Sequence, residues 1–200
     1  MSFAREVSRA VRSTLALWVI TALIYPLVMV VFAQVVFPFQ ANGSILKNAQ
    51  GVEVGSALIG QPFSGDRYFH SRPSVVNYST ADPKKDESEV LRTGISGASN
   101  LAPSNPALIE RIQEQLKQPG AIPAGDLVYS SGSGLDPHIT PASARLQIPR
   151  IAQARNIETN KLELLILNNT EGRALGIFGE PGVNVLKLNL DLDKLKVNRP

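Results

Sequence analysis

The chain has 200 residues, with 20 Lys and Arg against 17 Asp and Glu, two histidines and no cysteine. Disulfides, thiol nucleophiles and cysteine-ligated zinc are excluded, and with only His70 and His138 so is a histidine-rich metal site within one chain. Nor is the net charge of +3 a nucleic-acid signature: three Arg and one Glu precede an apolar run, and the 17 Lys and Arg after it face 16 Asp and Glu with no basic stripe.

Arg5, Arg9 and Arg12 stand just ahead of a charge-free stretch from Leu15 to Phe37, and the next charge is Lys47. Roughly 23 helical residues reach about 34 Å, enough to cross a hydrocarbon core of about 30 Å. A cleaved signal peptide has a shorter apolar region, of about 7 to 15 residues, and a small-x-small cleavage pattern, which Val31-Phe32-Ala33-Gln34-Val35 lacks. The expectation is an uncleaved anchor. Residues 1–14 form a cytoplasmic tail, 15–37 a transmembrane helix and 38–200 one extracytoplasmic domain, because basic residues stay on the inner side. That outer part, about 160 residues long, has the usual size of one domain. Within the span, Pro26 removes a backbone donor and frees the Ala22 carbonyl, which predicts a bend. Thr14, Trp18, Thr21 and Tyr25 recur at spacings of four, three and four, a stripe suited to packing against partner helices or, for Trp18, to the membrane interface.

Beyond the connector Pro38–Ser44, residues Ile45 to Ile59 alternate loosely around Gly51 and Gly55, predicting a strand or hairpin. Gly60 to Ser74 mixes turn residues with Phe63, Tyr68 and Phe69 and reads as a loop pinned by its aromatics. Asp82 to Glu89 is charged, without an apolar face, and reads as a solvated loop. A helix is predicted from Pro106, capped by Asn105, burying Leu108, Ile109, Ile112 and Leu116 and stopped by Pro119-Gly120. Another starts at Thr140-Pro141 and is interrupted or restarted at Pro149, and a third covers Thr159 to Leu167. Leu186, Leu188, Leu190 and Leu192 alternate with polar residues, which predicts a half-buried strand. The fold class is α+β, one amino-terminal transmembrane helix followed by a single α+β domain.

The densest chemical signal is Ser130 to Pro141, a small-residue loop leading into a helix start. Backbone amides around Gly132 and Gly134 can bind an anion, although no Gly-Lys-Ser or Gly-Lys-Thr accompanies them. Ser131 or Ser133 with Asp136 and His138 supplies the residue types of a hydrolase triad without its Gly-x-Ser-x-Gly elbow. The structural alternative is a tight turn with a capping Asp136 and a His138 bonded to backbone. Gly94 to Asn100 is open to the same two readings, anion nest or plain loop, and His70 among aromatics has no evident catalytic partner.

Six ordered blocks carry a resemblance: GSALIGQPF from Gly55, YFHSRPS from Tyr68, SGASNLAPSNP from Ser96, DLVYSSGSGLDPHITP from Asp126, QIPRIAQAR from Gln147 and LGIFGEPGVNVLKLNLDLD from Leu175. With the anchor, they resemble the C subunit of the bacterial Kdp high-affinity potassium-transporting ATPase, nearly end to end. The resemblance implies a non-enzymatic accessory subunit of an inner-membrane complex. Its partners would be a channel-like potassium-binding subunit, a P-type ATPase subunit and a small single-span subunit, and ATP and potassium would be handled by those partners. It further implies an accessory that raises the ATP affinity of the hydrolysing subunit, with Ser131, Gly132, Ser133 and Gly134 as the nucleotide-binding candidates. Tyr129-Ser130 departs from the smaller residues of that pattern. If these residues lie outside the membrane, cytoplasmic ATP cannot reach them, so the effect must pass through subunit contacts. An outer-face sensor would need an inner signalling domain, for which a tail of about a dozen residues is too short.

Overall fold

In the computed structural model, residues 3–80, 94–117 and 122–195 are described. The chain separates into a first unit up to Ile45 and a second from Leu46. The first is one continuous helix, α1 (Phe3–Trp18), a π-helical segment (Val19–Ile24) and α2 (Tyr25–Val36), followed by the single turn α3 (Pro38–Ala41). The helix begins well before Leu15, so the arginine-bearing tail is itself helical, with Glu6 paired to Arg9 at 2.9 Å. Its 34 residues make it long and apolar enough to cross a membrane.

The π segment lies directly ahead of Pro26, the residue expected to disturb the span. Proline has no N–H to offer, and upstream of it the Tyr25 N–H bonds the carbonyl of Ile20, five residues back. The Thr21 hydroxyl donates to the Leu17 carbonyl at 2.8 Å. The wider turn rotates Thr21 and Tyr25 away from the α-helical register of Thr14 and Trp18. The four therefore do not form one straight stripe.

At the boundary begins a small hairpin, β1 (Ile45–Lys47) against β2 (Glu53–Ser56), where Asn48 Oδ1 accepts from the amides of Gln50 and Val52. A long irregular segment follows. Next come α4 (Pro106–Leu116), α5 (Gly125–Val128), β3 (His138–Ile139), α6 (Pro141–Leu146), α7 (Ile148–Arg155), α8 (Thr159–Asn168), β4 (Thr170–Glu171), β5 (Gly182–Asn184) and α9 (Val185–Lys194). Asn105 and Thr140 cap α4 and α6 as their sequences require, Pro149 restarts the chain into α7, and Asn156 ends α7 in the left-handed conformation. The expected loop at Asp82–Glu89 and the stop at Pro119-Gly120 lie outside the described residues.

Two expectations need correction. The α4 stripe is only partly covered: Leu108 is buried, but Ile109 is 50% and Leu116 42% exposed, because α4 packs beside the short α5 rather than on the main core. The leucine alternation at 186–192 is a helix, not a strand. Asn184 accepts from the Lys187 amide and starts α9, whose Val185, Leu188, Asn189 and Leu192 share one buried face. Period two and period 3.6 coincide at Leu188 and Leu192, and the deciding position is Asn189, polar yet buried.

Strand β5 is central in a three-stranded antiparallel sheet ordered β3-β5-β4, with Ile139 and Thr170 both opposite Val183. Its core joins Ile139 and Val183 to Ala144, Ile148, Ile151, Leu162, Ile166 and Leu188, with Phe69 from the irregular segment. Buried polar side chains rather than aromatics alone hold that segment. Asn189 brackets Phe69 by accepting from its amide at 2.9 Å and donating to its carbonyl at 3.0 Å. Gln147 does the same for His70, at 2.7 and 3.2 Å. Arg150 reaches the carbonyls of Gly65, Asp66 and Tyr68, and buried Arg155 donates to the Arg67 carbonyl and pairs with Asp193 at 2.7 Å, its guanidinium over the Tyr68 ring. Backbone groups of this segment that lack a ladder partner thus find side-chain ones.

Candidate functional site

Residues Ser131 to Leu135 form a loop that bonds to itself and to its neighbours. Ser131 is buried and its amide donates to the Pro73 carbonyl at 3.0 Å. Its Oγ accepts from the amides of Ser133 and Gly134, at 3.3 and 3.0 Å, and Ser133 Oγ accepts from the Leu135 amide at 3.1 Å. The carbonyls are engaged as well: Ser133 accepts from Gly97 N and Ser96 Oγ, Gly134 from Ser74 Oγ, and Leu135 from Gly60 N. So the amides of residues 131, 133, 134 and 135 already have protein acceptors, and the Gly97 amide of the second glycine-serine loop donates to this one. Gly134 is required twice over. Its φ is +70°, and a Cβ there would lie 2.5 Å from Val76 Cγ2 and 2.7 Å from the Gly97 carbonyl oxygen. Gly132 faces open space.

The neighbouring turn carries backbone strain, since Asn77, Tyr78 and Ser79 all have positive φ. Its anchor is Tyr78, buried, with its hydroxyl donating to the Arg72 carbonyl and its amide to Ser74 Oγ. Burial pushes the Tyr78 phenol up to about 12. The same ring lies where a side chain at Gly60 would have to go.

Beyond the loop, five charged or titratable groups alternate in sign. Arg72 Nη1 donates to Asp136 Oδ2 at 3.1 Å; Asp136 Oδ1 accepts from the His138 amide at 3.0 Å and faces its ring; His138 Nε2 lies 3.4 Å from Glu171 Oε2; Lys187 reaches Glu171 at 2.7 Å. The His138–Glu171 approach is an ion-pair distance without hydrogen-bond alignment, so the ring nitrogen has no bonded partner. Hydrogen bonding to Asp136, opposed by burial and helped by the Glu171 charge, holds the His138 pKa above its ordinary value. Burial pushes Asp136 up, but the bonds from His138 and Arg72 outweigh it and its pKa is lowered. Lys187 chiefly lowers that of Glu171. The sheet makes the contact possible: Glu171 is opposite Gly182 on β5, and the His138 side chain lies against Gly182 where a Cβ would come within 3.3 Å.

These positions decide what the residues can do. Neither Ser131 nor Ser133 hydrogen-bonds to the His138 ring, and the two hydroxyls bond to each other at 3.2 Å, so the hydrolase constellation is not assembled. His70 has its ring on the Gly65 carbonyl, and burial, with the nearby Arg150 charge, lowers its pKa. A cavity of about 390 Å³ opens beside it, lined by polar groups including Asp66, His70, Arg72, Asn77, Gln115 and Gln147. No cluster among the described residues can hold a metal ion. Sequence reasoning passed over Gln147, Asn189, Arg150 and Glu171. Asn189, set between leucines, was the one position with a usable signal, a polar residue at an apolar helical phase.

Comparison with known proteins places these features. The family model for "K+-transporting ATPase, c chain" matches residues 7–194. A protein of Microcystis aeruginosa named "Potassium-transporting ATPase KdpC subunit" is 61% identical, the alignment covering the whole of both chains. A Nostoc protein, "Potassium-transporting ATPase KdpC subunit 1", is 62% identical over 98% of this chain and 99% of its own, and the Geobacter sulfurreducens "Potassium-transporting ATPase KdpC subunit" is 45% identical over 96% and 98%. With the match running through the anchor helix, the serine-glycine loop and α9, the chain belongs to the family of K+-transporting ATPase c chains.

Proposed function

We propose that this chain is a non-catalytic accessory subunit of an ATP-driven potassium uptake complex in the bacterial inner membrane. It crosses once, with its arginine-bearing terminus inside and residues 38–200 outside. The outer body clamps a channel-like potassium-binding subunit and stabilises its assembly with the ATP-hydrolysing subunit and a small single-span subunit. Any gain in ATP affinity is transmitted through those contacts, with ATP and potassium bound by the partners. The observation that carries this reading is the loop at Ser131–Gly134, where the amides of Ser131, Ser133 and Gly134 are taken by protein acceptors and so are poorly placed to cradle phosphate. Ser131, Ser133 and Gly134 act as joints that tie Pro73 and Ser74 to Ser96 and Gly97.

Purified complex tests the proposal. Omitting this chain should lose assembly or raise the ATP concentration needed for half-maximal potassium-stimulated hydrolysis, and a reporter fused after Pro200 should be active only outside. Full activity without the chain, or a cytoplasmic reporter signal, would overturn it.

A further inference from the structure

Strands β4 and β5 pair directly, and the chain between them, residues 172–181, projects as a finger. At its tip Leu175 is 88%, Ile177 72% and Phe178 64% exposed. Their combined apolar surface is of the order of 400 Å², within the size of the largest patches seen on monomers, which are commonly functional. The finger is built rather than slack. Ala174 and Phe178 exchange both backbone hydrogen bonds, at 2.8 and 2.9 Å, Gly176 and Ile177 close turns onto Arg173 and Ala174, and Arg173 grips both oxygens of Glu180 at 2.8 Å. Leu175 is held at φ 54°, an unfavourable conformation for a side chain that touches little within its own chain.

We propose that this finger is the apolar anchor by which the subunit inserts into a concave apolar socket on another subunit of the transporter. The inference rests on the accessory-subunit reading above. A bilayer surface is the poorer occupant, because the described charges at the finger's base are balanced: Arg173 is paired with Glu180 and Lys187 with Glu171, so neither cation is free for anionic headgroups. A second copy is an outcome of the test below, since the cavity beside His70 is lined by Asp66, His70, Arg72 and Gln147 together with Phe63 and Leu127 and is a mixed rather than an apolar socket. A protein socket suits a rigid knob whose ordering cost is met before binding. At roughly 800 Å² per partner for a standard interface, the tip supplies the central part and the polar surface around it the rim.

The experiment uses the full chain in the assembled complex. The triple variant Leu175→Ser, Ile177→Ser and Phe178→Ser should keep its melting temperature, because the side chains are exposed, while recovery of the other subunits on the tagged chain falls roughly tenfold or more. In a second arm, Phe178→p-benzoylphenylalanine should cross-link on illumination to another subunit. Undiminished recovery, no adduct, or adducts with lipid or a second copy alone would overturn the assignment. Deleting the whole chain separates the two readings: a complex that survives deletion refutes the accessory role, whereas one that needs the chain but tolerates the triple variant refutes only the finger.

Discussion

Gly134 shows how much a single position can demand. It combines a positive φ with a site where any side chain would collide with backbone as well as with Val76. Gly134→Ala is expected to lower stability by about 2–4 kcal/mol, the sum of a left-handed alanine and overpacking against a carbonyl that cannot move aside. Gly132→Ala, in open space, is the control. Thermal melts of the full chain in detergent compare the two, and equal losses would mean that the loop is not the joint described. His138 makes a prediction of a different kind, in pH. Its folded pKa is raised, so the stability it contributes is complete below about 6.5 and disappears as pH climbs through the folded value. Asp136 and Glu171 are lowered, so theirs is present above about 4 and lost as pH falls. Wild type should therefore lose stability as pH rises above about 6.5, where His138→Gln loses less. Parallel curves for the two proteins in that range would rule out a charged histidine in the chain from Arg72 to Lys187.

At the scale of elements, α9 and the α6–α7 junction serve an irregular segment more than each other. Asn189 and Gln147 bracket two consecutive residues, so a segment without its own hydrogen-bond ladder is held almost as a strand would be. Asn189→Ala would leave the amide and carbonyl of buried Phe69 without partners, a cost of about 2–6 kcal/mol at roughly 1–3 per group. Denaturant unfolding should show that loss, together with faster proteolysis between Gly60 and Ser74. A variant as resistant as wild type would assign the bracketing no weight. The anchor helix follows a different logic: Pro26 is accommodated by a π segment upstream, and that local widening breaks the register of Thr14, Trp18, Thr21 and Tyr25.

Across the whole molecule, the two units answer to different solvents. The first exposes a charge-free, mostly apolar surface from Leu15 to Phe37, suited to lipid or partner helices, whereas the second buries an apolar core and exposes other large apolar side chains, among them Leu58, Leu164 and the finger tip. On the proposed function, a subunit with this division contributes surfaces rather than chemistry. On the proposed topology the membrane itself separates the serine-glycine loop from cytoplasmic nucleotide, and the loop's internal bonding gives an independent reason for the same conclusion.

Local chemistry was sufficient to read the anchor helix, the Asn105 and Thr140 caps, the restart at Pro149 and the span of α8, because each depends on residues a few positions apart. The ordered blocks were likewise legible as a family. Period alone could not separate helix from strand at Leu186–Leu192, since leucines two apart satisfy both, and only the partners of Asn189, 120 residues away in the chain, resolve it. The His138 ring faces Glu171 because β5 lies between their strands with Gly182 in the gap, a pairing that no local pattern encodes. Sequence determined what each short stretch prefers; the tertiary structure decided which distant polar groups had to meet, because a buried hydrogen-bonding group must find its partner wherever the fold supplies one.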